Sequence, residues 1–173
     1  QRLSLIKNHH EYLATLMPQA FESFSFDEYD LVISVSSEAA KGIITLPSTL
    51  HICYCLTPTR YLWSGFENYF SNKFIKTLAK PAITYLRHWD RLAAARPDVI
   101  LAISKTVQAR VETFYSREST VIYPAVTFSK DVESSVDRFS ENGEFFLAVS
   151  RLVAYKKLDL VIEAFNELEL PLI

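Results

Sequence analysis

The chain has 173 residues, of which 49% are hydrophobic and 13% aromatic, enough to form a packed core. Its 18 basic and 20 acidic residues give a formal net charge of −2, which argues against nucleic-acid binding. No apolar run approaches the roughly 20 residues that span a bilayer, and the opening residues do not resemble a signal peptide. We therefore expect a cytoplasmic protein.

The early part of the chain predicts a helix followed by two strands. Apolar residues share one helical face over residues 8–24, although Pro18 is expected to kink this helix or divide it. Residues 30–36 read as a parallel strand buried on both faces, and residues 51–55 as the next strand. A short polar turn between them is predicted to close at Gly42.

The two cysteines, Cys53 and Cys55, are alternate residues of the second predicted strand. Their side chains are expected on one side of it, which is a poor placement for a disulfide between them. We expect reduced, buried thiols. The alternative, a Cys-x-Cys metal site, needs further ligands that the sequence does not identify.

Two amphipathic helices are predicted next. Residues 67–80 carry an apolar stripe, and Pro81 suits the first position of a second helix that reaches about Ala95. The stripe of the first helix consists of Tyr69, Phe70, Phe74 and Leu78. The residues expected to face inward in the second are Tyr85, Leu86, Trp89, Leu92 and Ala93. Arg87, His88, Arg91 and Arg96 form a basic series that suits either a solvated face or a cleft facing anionic lipid.

The remaining elements continue the alternation of strands and helices. Residues 98–103 predict a strand, Ser104 is a good N-cap for the helix that follows, and residues 119–123 predict another strand. Residues 127–143 are polar and charged and fit a linker or a long excursion between two domains. The pattern predicts an α/β fold with doubly wound parallel sheets and a boundary within residues 129–142.

The last segment is predicted as a strand, a cationic turn and a helix. Residues 145–149 read as a strand covered on both faces, and residues 158–168 as an amphipathic helix. Arg151, Lys156 and Lys157 lie between them, where the strand end and the helix amino terminus favour a phosphate or diphosphate. A solvated surface loop is the alternative. Residues 170–173 resemble the start of a further strand, so we expect the chain to be a fragment.

A second group of candidate ligand residues follows the strand at 51–55. Arginine beside aromatic rings can pair an anion while the rings contact a sugar or an apolar tail. The residues of this group are Thr57, Thr59, Arg60, Tyr61 and Trp63. Tyr61 and Trp63 are equally suited to packing beneath the next helix.

These stretches together resemble glycosyltransferase family 4, the retaining sugar-nucleotide transferases of the two-domain GT-B fold. The similar stretches, in the family's order, are YDLVISVSSEAAKG, HICYCLTPTRYLW, RPDVILAISKTVQARVETFY with STVIYPAV, and SRLVAYKKLDLVIEAF. They cover most of residues 29–168. The resemblance implies two incomplete Rossmann-like domains. Residues 1–128 would end the acceptor domain, 129–143 would form the linker or excursion, and 144–173 would begin the donor domain.

The resemblance also implies a reaction and its site residues. A sugar, with mannose favoured, would pass from a nucleotide diphosphate sugar to a polysaccharide or lipid-linked acceptor with retention at the anomeric carbon. Arg151 and Lys156 match the positions that bind the donor diphosphate, and they would replace a metal ion. Lys157 stands where the family often has glycine, so a direct role for it is not expected. Arg60 and Thr57 are acceptor-side candidates, and a peripheral contact with the inner membrane surface fits such acceptors.

Three departures from the family leave other interpretations open. The glycine-rich loop of the first domain and the paired glutamates of the donor site are not found, and Leu56 stands near the place of a family histidine. No catalytic residue is therefore assigned, and the chain by itself is expected to be inactive. The alternative function is a non-catalytic α/β module that binds a nucleotide or phosphorylated ligand. A dehydrogenase-like domain is disfavoured because three glycines form no GxGxxG motif.

Overall fold

The structure is a computed structural model that describes residues 14–69, 73–125, 145–153 and 156–173. The chain divides into two compact units, Gln1–Pro124 and Ala125–Ile173. The predicted start of the first helix at residues 8–13 and the predicted linker at 129–143 lie outside the described residues.

The first unit contains a parallel four-stranded sheet whose strands lie in sequence order, β1-β2-β3-β4. The strands are β1 (Leu31–Ser36), β2 (Leu50–Cys55), β3 (Val99–Ala102) and β4 (Thr120–Val121). Residue pairing places Ile33 opposite Ile52, Cys53 opposite Ile100, and Ala102 opposite Val121. The predicted parallel α/β sheet is confirmed, and all four strands end at the same edge.

Helical segments alternate with these strands along the chain. They are α1 (Met17–Glu22), a 3₁₀ turn (Ala39–Gly42), α2 (Phe66–Tyr69), α3 (Lys73–Ala95) and α4 (Lys105–Tyr115). The N-cap predicted at Ser104 is confirmed, because its extended backbone lets the hydroxyl accept from the Val107 amide at 3.3 Å. The end of α3 is held by Arg117, whose guanidinium donates to the Ala95 and Pro97 carbonyls at 2.9 Å.

One face of the sheet is buried and the other is not, in the described part of the first unit. Residues alternate strictly along β1, where Val32, Ser34 and Ser36 are buried and the intervening Leu31, Ile33 and Val35 are exposed. The buried residues of β2 and β3 pack against α3 and α4. The prediction of strands buried on both faces is therefore wrong for β1. The apolar composition of a strand does not reveal which of its faces a helix covers.

The two helical prolines differ in outcome. Pro18 lies in the first turn of α1, where a missing N–H costs little, and residues 14–16 before α1 form a 3₁₀ turn, which agrees with the prediction that this proline divides the helix. Pro81 lies inside α3, which continues unbroken from Lys73 to Ala95 instead of starting anew at the proline. Packing of Ile83 and Leu86 against Leu62 helps to offset the backbone hydrogen bond that Pro81 cannot donate.

The inward face of α3 is also narrower than predicted. Leu86, Trp89 and Ala93 are buried as expected. Four other apolar residues of the helix, predicted to lie on apolar stripes, are exposed: Phe74 by 76%, Leu78 by 75%, Tyr85 by 45% and Leu92 by 52%. Helical spacing places the buried and the exposed apolar residues on two sides of α3, but it does not determine which side packs against the sheet.

Gly42 ends the 3₁₀ turn at a point of close approach to α3. A Cβ atom placed there would lie 2.5 Å from the Trp89 ring and 3.0 Å from the Ala93 methyl group. Trp89 is itself fixed, since its indole N–H donates to Glu22 at 2.8 Å. Glycine is therefore required here by space.

The second unit is small and its apolar residues are only partly covered. Its helix α5 (Leu158–Leu168) confirms the predicted helix, and Phe165 contacts Phe146 edge-on at a ring distance of 5.1 Å. Residues 145–148 pair in parallel with residues 171–173 through a bridge between Phe146 and Leu172. The expected strand start at residues 170–173 is thus present as a single bridge. The strand predicted at 145–149 is not covered on both faces, because Leu147 and Val149 are exposed.

Replacing Gly42 by alanine is expected to destabilise the first unit by about 1–3 kcal/mol, because the added methyl group overlaps the Trp89 ring. Urea titration followed by tryptophan fluorescence measures the change. Ser37→Ala, at an exposed position shortly before the same turn, serves as the control and should leave the midpoint within error. Equal urea midpoints for the two variants would contradict this prediction, because the turn would then accommodate the methyl group without a loss of stability.

Candidate functional site

The first candidate site is the sheet edge where β1, β2 and β3 end. Residues 57–63 leave β2 there and form tight turns, with the Arg60 carbonyl accepting from the Trp63 and Gly65 amides at 3.2 and 2.8 Å. Arg60 is exposed, whereas Thr57 and Thr59 are buried. The predicted candidates are therefore divided between a ligand-accessible side and a side that faces the protein interior.

A buried carboxylate, Asp90 of α3, holds this segment from below. Its Oδ1 atom accepts from the Lys41 ammonium at 2.5 Å and from the Thr59 hydroxyl at 2.9 Å. Its Oδ2 atom accepts from the Trp63 indole at 2.7 Å and from the Tyr115 hydroxyl at 2.8 Å. Asp90 is 1% exposed. Four donors from three parts of the chain thus satisfy one buried charge.

Lys41 completes this arrangement, which we call the Asp90 network: Lys41, Thr59, Trp63, Asp90 and Tyr115. The Lys41 ammonium also donates to the Glu38 carbonyl at 2.6 Å and lies 5.4 Å from the centre of the Tyr115 ring. Burial and the Asp90 carboxylate raise the pKa of Tyr115 far above its ordinary value, so this hydroxyl remains a donor. Thr59 and Trp63 therefore have structural roles. Of the two interpretations of Trp63, packing beneath α3 is the one that its position in the structure supports.

Sequence reasoning missed the roles of Lys41 and Asp90. Asp90 is the only acidic residue of α3, and it stands between Trp89 and Arg91 at a position that helical spacing turns inward. A lone acid at an inward position is a signal for a buried partner, but the sequence does not reveal that Lys41, 49 residues earlier, supplies it.

Thr57 has a neighbour that was not among the predicted site residues. The guanidinium of Arg110, from α4, lies 3.5 Å from the Thr57 hydroxyl, which itself donates to the Pro58 carbonyl at 3.2 Å. Arg110 is half-buried and one turn beyond the N-terminal turn of its helix. A guanidinium, a hydroxyl and the exposed Arg60 at one sheet edge suit a polar or anionic ligand.

Tyr61 packs rather than projecting from the edge. It lies half-buried against the cluster of Leu62, Ile83 and Leu86. Burial, followed by the nearby carboxylates of Glu38 and Asp90, raises the pKa of its hydroxyl above the ordinary value. The packing interpretation of Tyr61 therefore accounts for its position.

His51 is not at the ligand edge. It lies at the amino end of β2, is fully buried, and its Nε2 atom is 2.9 Å from the Ser34 hydroxyl. Burial lowers the pKa of His51, and the nearby Asp98 carboxylate opposes this effect only in part. Its Nδ1 atom has no hydrogen-bond partner among the described residues. These properties are those of a neutral core histidine.

Both cysteines are buried on the helix-covered face of the sheet. Burial raises the pKa of Cys53 and raises that of Cys55 to about 12, which keeps the thiols protonated. In the described ranges, no group of three or more His, Cys, Asp or Glu side chains is placed to hold a metal ion. The reduced-thiol interpretation is consistent with this burial.

The second candidate site is the turn before α5, in the second unit. Arg151 and Lys156 are both exposed. The Val153 amide donates to the Arg151 carbonyl at 2.8 Å, and the Lys156 amide donates to the Val153 carbonyl at 2.9 Å. Residues 154 and 155 lie outside the described residues, and the role of the two cations stays a prediction. Asp159 in the first turn of α5 offsets part of their positive charge.

Lys157 adopts a left-handed backbone at the N-cap of α5, with φ 53° and ψ 40°. Its side chain makes no capping hydrogen bond. This conformation favours glycine and costs other residues about 1–2 kcal/mol. Backbone geometry, not side-chain chemistry, is therefore the constraint at position 157.

No protein-family model, curated protein or solved structure matches the chain. Across the parts of the chain that the structure describes, no helix is both long enough and apolar enough to cross a membrane.

Removing the Asp90 carboxylate is expected to destabilise the first unit strongly, because Lys41 would be left as an unpaired buried charge. We expect Asp90→Ala to cost about 3–5 kcal/mol and the double variant Lys41→Met/Asp90→Leu to recover part of that loss. Urea titration measures both.

The control for this comparison is the exposed ion pair between Glu67 and Lys76, whose atoms lie 2.6 Å apart. Glu67→Ala is expected to cost no more than about 1 kcal/mol because solvent screens the pair. A loss for Asp90→Ala that is no larger than this would contradict a stabilising Asp90 network.

His51 is expected to make folding stability depend on pH. Its folded pKa is below the unfolded value of 6.5, so the unfolded state binds the proton more readily. Its contribution is fully present above pH 6.5 and is lost as the pH falls through 6.5 towards the folded pKa. The slope from this group is at most about 1.4 kcal/mol per pH unit.

Urea titrations at about pH 7.5 and about pH 5.5 test this dependence. His51→Gln should reduce the difference in unfolding free energy between the two pH values. His88→Gln, at an exposed position on α3, should leave it as in the unaltered protein. An unchanged slope in His51→Gln would assign the pH dependence to other groups.

Proposed function

We propose that this chain is part of a retaining glycosyltransferase of family 4 with the GT-B arrangement of two doubly wound domains. The donor would be a nucleotide diphosphate sugar, with mannose favoured, and the acceptor a polysaccharide or a lipid-linked glycan. The parallel α/β sheet of the first unit is compatible with the acceptor domain of this proposal.

The observation that carries the proposal is the cationic turn before α5. Arg151 and Lys156 are both exposed, and Lys156 lies two residues before Leu158, the first residue of α5. The free N–H groups at the amino terminus of α5 and the two cations together favour a diphosphate. Nearby Asp159 weakens the site towards anions, so the proposal depends on the two cations rather than on the helix alone.

The chemistry assigned to these residues is charge neutralisation. The bond between the anomeric carbon and the diphosphate oxygen breaks, and a new bond from that carbon to an acceptor oxygen forms on the same face. Negative charge grows on the leaving diphosphate, where a guanidinium and an ammonium stabilise it in place of a metal ion. No residue of the chain is assigned to accept the proton of the acceptor hydroxyl.

The acceptor side is proposed at the sheet edge of the first unit. Arg60 is exposed there and Thr57 lies within 3.5 Å of Arg110. We add Arg110 to the two residues expected from the sequence. Because Thr57 is buried, its contribution would be to position Arg110, while the guanidiniums of Arg60 and Arg110 would contact the acceptor.

Arg151→Ala and Lys156→Ala in the full-length protein are each expected to lower turnover by about 10²–10³-fold, because each removes a charge partner of the transition state. The measurement is release of nucleoside diphosphate from a panel of sugar nucleotides with a glycan acceptor. Lys157→Gly is the matched control: it removes an adjacent cation and suits the left-handed backbone, so turnover should be retained.

Near-normal turnover in both alanine variants would remove the diphosphate assignment. Binding of a nucleoside diphosphate that is weakened in these variants, with no transfer or hydrolysis of any sugar nucleotide, would instead support a non-catalytic binding module.

A further inference from the structure

Glu38 is an exposed acid at the edge of the sheet where the strands end. It lies two residues after Ser36, the last residue of β1, and directly before the 3₁₀ turn. Ser36 pairs with Cys55, the last residue of β2, so the chain leaves both strands at the same level. Glu38 therefore shares this edge with the segment that carries Arg60.

The backbone of Glu38 is fixed by buried groups beneath it. Its carbonyl accepts from the Lys41 ammonium at 2.6 Å and from the Ser36 hydroxyl at 3.1 Å. The same ammonium donates to the hydroxyl of Thr59, the residue before Arg60, at 3.4 Å. One buried cation thus ties the backbone at Glu38 to the neighbouring segment, so both exposed side chains extend from one rigid support.

The Glu38 carboxylate has no hydrogen-bond or ion-pair partner among the described residues. It nevertheless lies close to the segment after β2. Burial and then the charge of Glu38 raise the pKa of Tyr61, and the two residues line one small cavity together with Thr59. Both carboxylate oxygens are therefore available to a ligand at this edge.

The charges at this edge restrict the kind of group that Glu38 can bind. The guanidiniums of Arg60 and Arg110 outnumber the Glu38 carboxylate, so a cation is disfavoured there. A simple anion suits the guanidiniums but is repelled by Glu38. Neutral hydroxyl groups donate to a carboxylate without either penalty, while a guanidinium pairs an oxyanion. A ligand that carries both kinds of group satisfies all of these side chains.

We propose that Glu38 accepts hydrogen bonds from free hydroxyl groups of an anionic sugar whose charged group is paired by Arg60. The inference rests on the proposed function, because it concerns the acceptor side, and it narrows the acceptor to a glycan with hydroxyls beside an oxyanion. Glu38 is then a specificity residue, which distinguishes a sugar from a simple anion. No covalent step is assigned to it.

The test is isothermal titration calorimetry of the full-length protein without any sugar nucleotide. The ligands are glucose 6-phosphate, glucuronic acid and inorganic phosphate. Glu38→Ala should weaken binding of the sugar ligands by about tenfold, because hydrogen bonds to a charged acceptor are lost. It should strengthen binding of inorganic phosphate, because a like charge is removed. The sugar that binds more tightly identifies the oxyanion as phosphate or carboxylate.

Two further variants and a stability measurement serve as controls. Glu28→Ala removes an equal, exposed charge before the amino end of β1 and should leave all three affinities unchanged. Arg60→Gln should weaken all three, because it removes the cation that pairs the anion. The urea midpoint of Glu38→Ala should stay near that of the unaltered protein, since the side chain is exposed.

A structural effect of Glu38→Ala would change the affinities for sugar and phosphate in the same direction, and this result would overturn the inference. So would equal losses in Glu28→Ala, or no binding of either sugar. The outcome is separate from the transfer assay. Sugar binding that depends on Glu38 without turnover of any sugar nucleotide would support the site and contradict the transferase, whereas turnover with unchanged binding in Glu38→Ala would contradict the site alone.

Discussion

The first unit is held together at one buried charge, the Asp90 carboxylate. Its donors come from the turn after β1, the segment after β2 and the end of α4, while Asp90 itself belongs to α3. A buried charge is costly unless every partner is present, so these four elements must arrive in one relative arrangement. The close approach of Trp89 to Gly42, one residue from each end of the Lys41–Asp90 pair, has the same consequence. Specific polar contacts thus fix how these helices and turns are placed against the sheet, whereas apolar packing alone would allow several placements.

This constraint also separates the structural residues of the sheet edge from those able to meet a ligand. Thr59 and Trp63 direct their polar atoms to Asp90, and this leaves Arg60 exposed above them, with Arg110 beside Thr57. A rigid underside is what a binding edge needs, since a guanidinium can select a ligand only if its backbone is held in place. The turn before α5 is organised differently. There Lys157 has a left-handed backbone immediately before the helix, and Arg151 and Lys156 are both exposed.

Some apolar residues of this protein lie outside its hydrophobic core. One face of β1 and four apolar residues of α3 remain exposed in the described residues, although both elements have the composition of buried ones. The four residues of α3 are Phe74, Leu78, Tyr85 and Leu92. Composition by itself does not identify a partner for either surface.

The sequence by itself determined the alternation of strands and helices, the parallel sheet, the N-cap at Ser104 and the helix α5. These depend on short-range signals: apolar periodicity and capping side chains. Only the tertiary structure decided which face of β1 is buried, that α3 continues through Pro81, and that Phe74 and Leu78 lie outside the core. It also decided that Thr59 and Trp63 serve Asp90 and not a ligand. Each of these depends on residues far apart in the chain, such as Lys41 and Asp90, and a periodic pattern carries no information about which distant partner a side chain meets.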